Sequence, residues 1–215
     1  MCALPAQSEG DIDSSPLRVM TADPLDRFIP EPDIHERFET TVRAPAAVVL
    51  DAAVGFDMQS LASVRTIIRL RERFMRSAPH APRLPQGLLE ETQKLGWGLL
   101  AEERDRLVVC GARCQPWLAD VKFVAIPPED FVRYAEPGVV KIAWSLEAVE
   151  TAPNVTRFAQ ETRAVATDAV ARAKFLRYWR WARFGIVAIR LLMLPAVRRE
   201  AERRWAAERG PTARD

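Results

Sequence analysis

From Phe184 to Val197 the chain runs through 14 residues that carry one charge, Arg190. This stretch sits inside a longer helical pattern from about Asp168 to Glu208. Thr167-Asp168 supplies an N-cap, since a side-chain oxygen there accepts from an orphan backbone N–H. Phe175, Tyr178 and Trp179 recur at helical spacing, and Ile186, Ile189, Met193 and Val197 follow on one face. A break is expected at Phe184-Gly185. Pro195 removes one backbone bond and either kinks the helix or marks a restart. The apolar residues from Ile186 to Val197 exceed one stripe, so burial along most of the helix's girth is expected. Something concave must hold this helix, and only a set of strands upstream can do so. Interrupted by Gly185, Arg190 and Pro195, the run is too short to span a bilayer.

The strands are legible by period two. His35 to Arg43 alternates, with Phe38, Thr40 and Val42 on one side, and Pro45 ends it. Ala46 to Ala53 and Ser60 to Arg76 read as helices, the second facing inward with Leu61, Val64, Ile68 and Phe74 or Met75. The proline-rich 77–85 is a connection and Leu88 to Leu95 a short third helix. Trp97 to Glu102 and Leu107 to Cys114 read as strands, Phe123 to Ile126 and Phe131 to Tyr134 as further short ones. Val139 to Val149 then alternates, and Pro153-Asn154 turns the chain into Val155 to Val165. One strand, two or three helices, five or six antiparallel strands and a long helix make an α+β plan with one curved sheet. The first strand and the last helix must meet in space.

Length and charge narrow the rest. A chain of 215 residues supports one substantial core. Residues 1–34 hold seven acids and two bases, whereas 169–215 hold twelve bases and four acids. The expected organisation is a flexible acidic tail over 1–25, one domain over 26–208 and a short tail over 209–215. Met1 to Pro5 has neither the basic nor the apolar region of a signal peptide, so the cytoplasm is the expected location. Three cysteines (Cys2, Cys110, Cys114) make no disulfide framework, and with two histidines no metal site is expected. No cofactor is expected either.

The order of elements carries a resemblance. His35-Glu36-Arg37-Phe38 leads to Val42-Arg43-Ala44-Pro45, Gly96-Trp97 to Leu100-Ala101-Glu102, and Glu136-Pro137-Gly138 to Lys141-Ile142-Ala143-Trp144. Glu161-Thr162-Arg163 with Thr167-Asp168, then Phe175 and Tyr178-Trp179, complete the pattern. Over about residues 26–207 the chain resembles the SRPBCC superfamily (START, Bet v 1 and polyketide-cyclase-like proteins), and within it bacterial members of unassigned function. The resemblance implies a helix-grip fold, a curved antiparallel sheet wrapped around the long C-terminal helix. It also implies a cavity for an apolar molecule such as a lipid, sterol, polyketide or aromatic compound. The chain departs from the pattern at Gly111 to Trp117, where Pro116 should end a strand early and alter the cavity rim.

Candidate pocket residues follow from faces. Trp144, with Ile142 and Leu146, should point at the C-terminal helix, where Ile189 and Met193 face back. It is a stacking wall for a ligand or a core tryptophan with its N–H bonded nearby. Trp97 and Trp117 line the pocket mouth or seal it. Glu161 and Arg163 share a face and, with Gln160, would orient a ligand if inward. If outward they are a solvated network, and alternation with Phe158, Gln160 and Thr162 leaves the face open.

No catalytic residue is assigned. Ser/His/Asp sets, phosphate loops and paired carboxylates are absent, so a cyclase or dehydratase activity rests on the resemblance alone. The expected partner is a small hydrophobic molecule. No nucleic acid is expected, and oligomeric state stays open. Arg172, Lys174, Arg177, Arg180 and Arg183, interleaved with Tyr178, Trp179 and Trp181, form either an anionic-membrane surface or a solvated helix face.

Overall fold

The computed structural model describes residues 23–75 and 87–210. Its elements run β1 (Ile34–Val42), α1 (Ala46–Val54), α2 (Ala62–Met75), α3 (Leu88–Lys94), β2 (Gly98–Glu103) and β3 (Leu107–Cys114). Then come α4 (Pro128–Phe131), β4 (Val140–Ala152), β5 (Val155–Ala166) and α5 (Ala169–Glu208). The strands form one curved antiparallel sheet in the order β1-β5-β4-β3-β2. β1 and β5, separated by most of the chain, are neighbours, and α5 packs back over β1, β5 and α1. This is the helix-grip plan.

Alternation along β4 and β5 builds two different faces. Toward α5 point Trp144, Leu146, Ala148 and Phe158, which join Val42, Val108 and Cys110 in a core with Met193, Leu194, Val197 and Ala201 of α5. α1 closes one flank through Val49, Leu50, Ala52 and Ala53. Away from α5, Val109 and Ala143 pack under Leu25, Phe28, Ile29, Ile126 and Phe131. Phe28 and Phe131 meet edge-to-face at 6.0 Å. Both faces are therefore buried, and a clean apolar/polar alternation in sequence does not mean a wet outer face. Lys141, Ser145 and Glu147 are all buried there. Lys141 Nζ donates to the carbonyls of Phe131 (3.1 Å) and Val132 (3.0 Å), and burial lowers its pKa.

Gly111 marks where that outer layer comes closest. A Cβ there would lie 2.4 Å from Leu100 Cδ1 and 2.7 Å from Phe131 Cε2. Leu100 is the extra residue of an irregularity in β2, between Leu99 on the α5 side and Ala101 on the outer side.

Several sequence expectations change. Phe123 to Ile126 is no strand but a single bridge, Val124 to Arg113. Phe131 ends the short helix α4 instead of starting a strand, because Pro128 at N1 and Glu129 and Asp130 in the first turn favour a helix start. Among the described residues four strands follow the helices, not five or six. The 77–85 connection and residues 1–22 lie outside the described residues, as do the side chains of Phe74 and Met75. Leu25, Phe28 and Ile29 are buried against the sheet, in a turn that begins at Asp23.

α5 departs most. It is continuous through both Gly185 and Pro195, with no break or restart. The Asp168 carboxylate caps it at Ala171 N–H (2.8 Å) and also accepts from Gly138 N–H. Gly185 leaves room for Ile67 of α2, whose Cγ2 would lie 3.2 Å from a Cβ at 185. The fully buried residues of α5 are Ala171, Phe175, Met193, Leu194, Val197 and Ala201, so the girth-wide burial expected from composition is not found.

An exposed proline inside an unbroken helix leaves the Leu191 carbonyl without its N–H partner. Pro195→Ala should raise stability in chemical denaturation by up to about 3 kcal/mol. A fall would mean that the packing of Met193, Leu194 and Val197 depends on the backbone the proline imposes.

Candidate functional site

Which residues of β5 can meet α5 is a matter of parity. Phe158 belongs to the core shared with Met193 and Val197, so Gln160 and Thr162 continue on that side. Glu161 and Arg163, grouped with Gln160 on sequence grounds, lie on the opposite face. In the ladder, Thr162 sits between Glu36 of β1 and Trp144 of β4, and Gln160 between Phe38 and Leu146.

Among the described residues three buried side-chain atoms have no hydrogen-bond partner: Gln160 Oε1, Thr162 Oγ1 and Arg190 Nη1. Arg190 lies three residues before Met193 and seven before Val197, both buried in the sheet–helix core, so it shares their face. Burial pulls its pKa down to about 10, against the attraction of Glu36. One layer between sheet and helix thus holds a guanidinium, a hydroxyl and an amide oxygen with unused bonding capacity. Each orphaned buried group costs about 1–3 kcal/mol, and a charged one more.

Trp97, Trp144, Leu146 and Met193 fall in a single apolar cluster, with the two indoles 6.4 Å apart. Trp117 and Ile142 belong instead to a second cluster around Phe175, Tyr178 and Trp179, at the N-terminal end of α5. Ile189 is half-buried. The polar members Thr162, Arg190 and Glu36 were missed. Arg190 did carry a signal, being the one charge in the apolar run.

Glu161 and Arg163 serve a different end. Glu161, fully buried, accepts from Arg37 Nη1 (2.6 Å) and Arg163 Nε (2.7 Å), with His35 Nε2 2.8 Å from its carboxylate. Arg163 also reaches Asp26 (2.7 Å), Asp23 (3.1 Å) and the Ile29 carbonyl (3.0 Å). The result is a clamp that fastens residues 23–29 across the sheet. Asp23, His35 and Glu161 offer donor atoms within 4.8 Å of one another. Glu161's oxygens are already taken by two guanidiniums, whose charge opposes a cation, so this set does not fit a metal ion.

An open hollow elsewhere on the surface is lined by Arg113, Ile126, Asp130, Arg133, Tyr134 and Glu136. Arg113 there lies 3.4 Å from Glu136 and 5.5 Å over the Tyr134 ring. The hollow offers no comparable orphaned group.

No protein-family model matches the chain, and no curated protein does. Among solved structures the chain is similar to CalU16 from Micromonospora echinospora, at 13% identity and TM-score 0.27, covering 80% of this chain and 86% of that one. It is also similar to the Zhui aromatase/cyclase from Streptomyces sp. R1128, at 14% identity and TM-score 0.30, covering 81% and 97%. Likeness at this level supplies neither a ligand nor a reaction for this chain.

Burial raises the pKa of Glu161, and the neighbouring Asp23 carboxyl raises it further against Arg163 and Arg37. Burial also acts to raise Asp23, but its bonds to Glu161 and Leu25 N–H and the charges of Arg163 and Arg37 outweigh it and lower its pKa. The two carboxyls titrate as a pair. Asp23's share of stability is present above the ordinary carboxylate range and is lost as pH falls through its folded pKa. Glu161's is present below that range and is lost as pH rises through its own. Asp23→Asn should therefore move the Glu161 midpoint downward in a carboxyl ¹³C NMR titration. An unchanged or higher midpoint would contradict the pairing.

Proposed function

We propose that the protein binds a small, largely apolar molecule between the sheet and α5, with an oxygen-bearing end held at Arg190. The observation that carries this is that three buried, partnerless polar atoms lie on the facing sides of the sheet and α5. Native proteins satisfy buried polar groups almost without exception, so such a cluster marks a place completed by something else. The chemistry of the three atoms narrows the class. Arg190 takes an anionic or carbonyl oxygen, Gln160 Oε1 takes a hydroxyl or N–H donor, and Thr162 serves either way. Trp144, Leu146, Met193 and the half-buried Phe38 supply the apolar wall. A lipid acid, a polyketide or a hydroxylated aromatic compound fits that description. Burial of its apolar body would drive binding, and the polar groups would set its orientation.

Replacing a buried, unpaired charge with an isosteric apolar side chain is neutral or stabilising, whereas breaking a satisfied pair is not. Arg190→Met should therefore leave the free protein unchanged or more stable by about 1–3 kcal/mol. Native mass spectrometry should at the same time show a small molecule carried by the parent protein and absent from the variant. An empty parent protein together with a destabilised variant would overturn the proposal, because Arg190 would then be a structural cation.

A further inference from the structure

The side of α5 turned away from the sheet carries large apolar residues that nothing covers among the described residues. Trp181 is 77% exposed, Phe184 69% and Leu191 55%, and Leu192 adds to the same side. Monomeric proteins rarely display so much contiguous aromatic and aliphatic surface without a use for it. The charges around it are of one sign. Between Asp168 and Glu200 α5 has no acidic residue, and Arg177 and Arg180 stand one turn before Trp181 and Phe184. Arg183 lies over the Phe184 ring at 5.7 Å. None of these three arginines makes an ion pair among the described residues, in contrast to Arg172, which pairs with Asp33 at 2.6 Å.

We propose that this outer face of α5 docks on an anionic phospholipid surface. The arrangement is graded along the helix. Bases with interleaved aromatics occupy residues 174–184, while the outward side of residues 184–195 is apolar, since Arg190 faces the sheet. That order suits a helix lying in the interface, where arginines meet headgroup phosphates and Trp181, Phe184 and Leu191 enter the acyl boundary. A second copy of the chain fits poorly, because pairing on this face would oppose like charges with no acid to offset them. A nucleic acid fits poorly as well, because half of the face presents no base to a phosphate. The same helix closes the proposed ligand layer from its other side, but docking does not depend on that layer being occupied.

The test uses the full chain in co-sedimentation with vesicles of phosphatidylcholine alone, or with an equal part of phosphatidylglycerol. Salt is set at about 50 mM and at about 500 mM to vary screening. Expected is binding to the anionic vesicles at low salt and its loss at high salt. Neutralising Arg177→Gln, Arg180→Gln and Arg183→Gln together should weaken partitioning roughly a hundredfold, from the usual contribution of a base near an anionic surface. Trp181→Ser with Phe184→Ser should also weaken it, with circular dichroism unchanged since both side chains are exposed. Equal binding to neutral vesicles, or no binding to either kind, would overturn the proposal. So would self-association in sedimentation equilibrium that Trp181→Ser abolishes, which would assign the face to a second copy.

Discussion

β5 is buried on both of its faces, and the rest of the molecule is arranged to make that tolerable. A strand that read Phe-Ala-Gln-Glu-Thr-Arg in solvent would lose most of its polar groups to water. Here the odd positions, Glu161 and Arg163, are satisfied by Arg37, His35, Asp23 and Asp26, which requires residues 23–29 to cross the sheet. Removing one partner from such a set leaves a buried charge uncompensated, so the segment is held far more firmly than its short apolar anchors alone would hold it. The even positions, Gln160 and Thr162, receive no such help from α5. One face of the strand is a finished structural joint and the other is an unfinished one.

That contrast explains how much of the molecule was legible beforehand. Period-two alternation located β1, β4 and β5, and the Asp168 cap with helical spacing located α5, because those signals depend only on the chain's local geometry. The side of the sheet on which Glu161 falls was not legible, since burial on both faces erases the usual difference between them. Phe131 misled for a related reason. A short apolar run signals burial whether it sits in a strand or closes a helical turn. Composition also overstated the burial of α5. Leu191 and Leu192 count as apolar in any window, but only a three-dimensional partner decides whether they are covered, and Met193 took the sheet. Arg190 was visible as the exception in its run, but its role depended on Thr162 and Glu36, contributed by strands far away in sequence.

α5 thus carries three groups of residues with different physical demands. Phe175, Met193 and Val197 hold the fold together by apolar burial. Arg190 occupies the same inward side at a cost in desolvation that the attraction of Glu36 offsets only in part. Trp181, Phe184 and Leu191 face outward with arginines beside them. An unbroken 40-residue helix can serve all three because it transmits one orientation along its length, tying the inward charge to the outward apolar stripe.

The most direct test is a high-resolution crystal structure of the freshly purified protein, read at Arg190, Gln160 and Thr162. Expected is elongated density against Trp144 with an oxygen at about 2.7–3.2 Å from Arg190 Nη1. Arg190 closed onto Glu36, Gln160 and Thr162 with no intervening space would contradict the central claim, because the layer would then be a satisfied core.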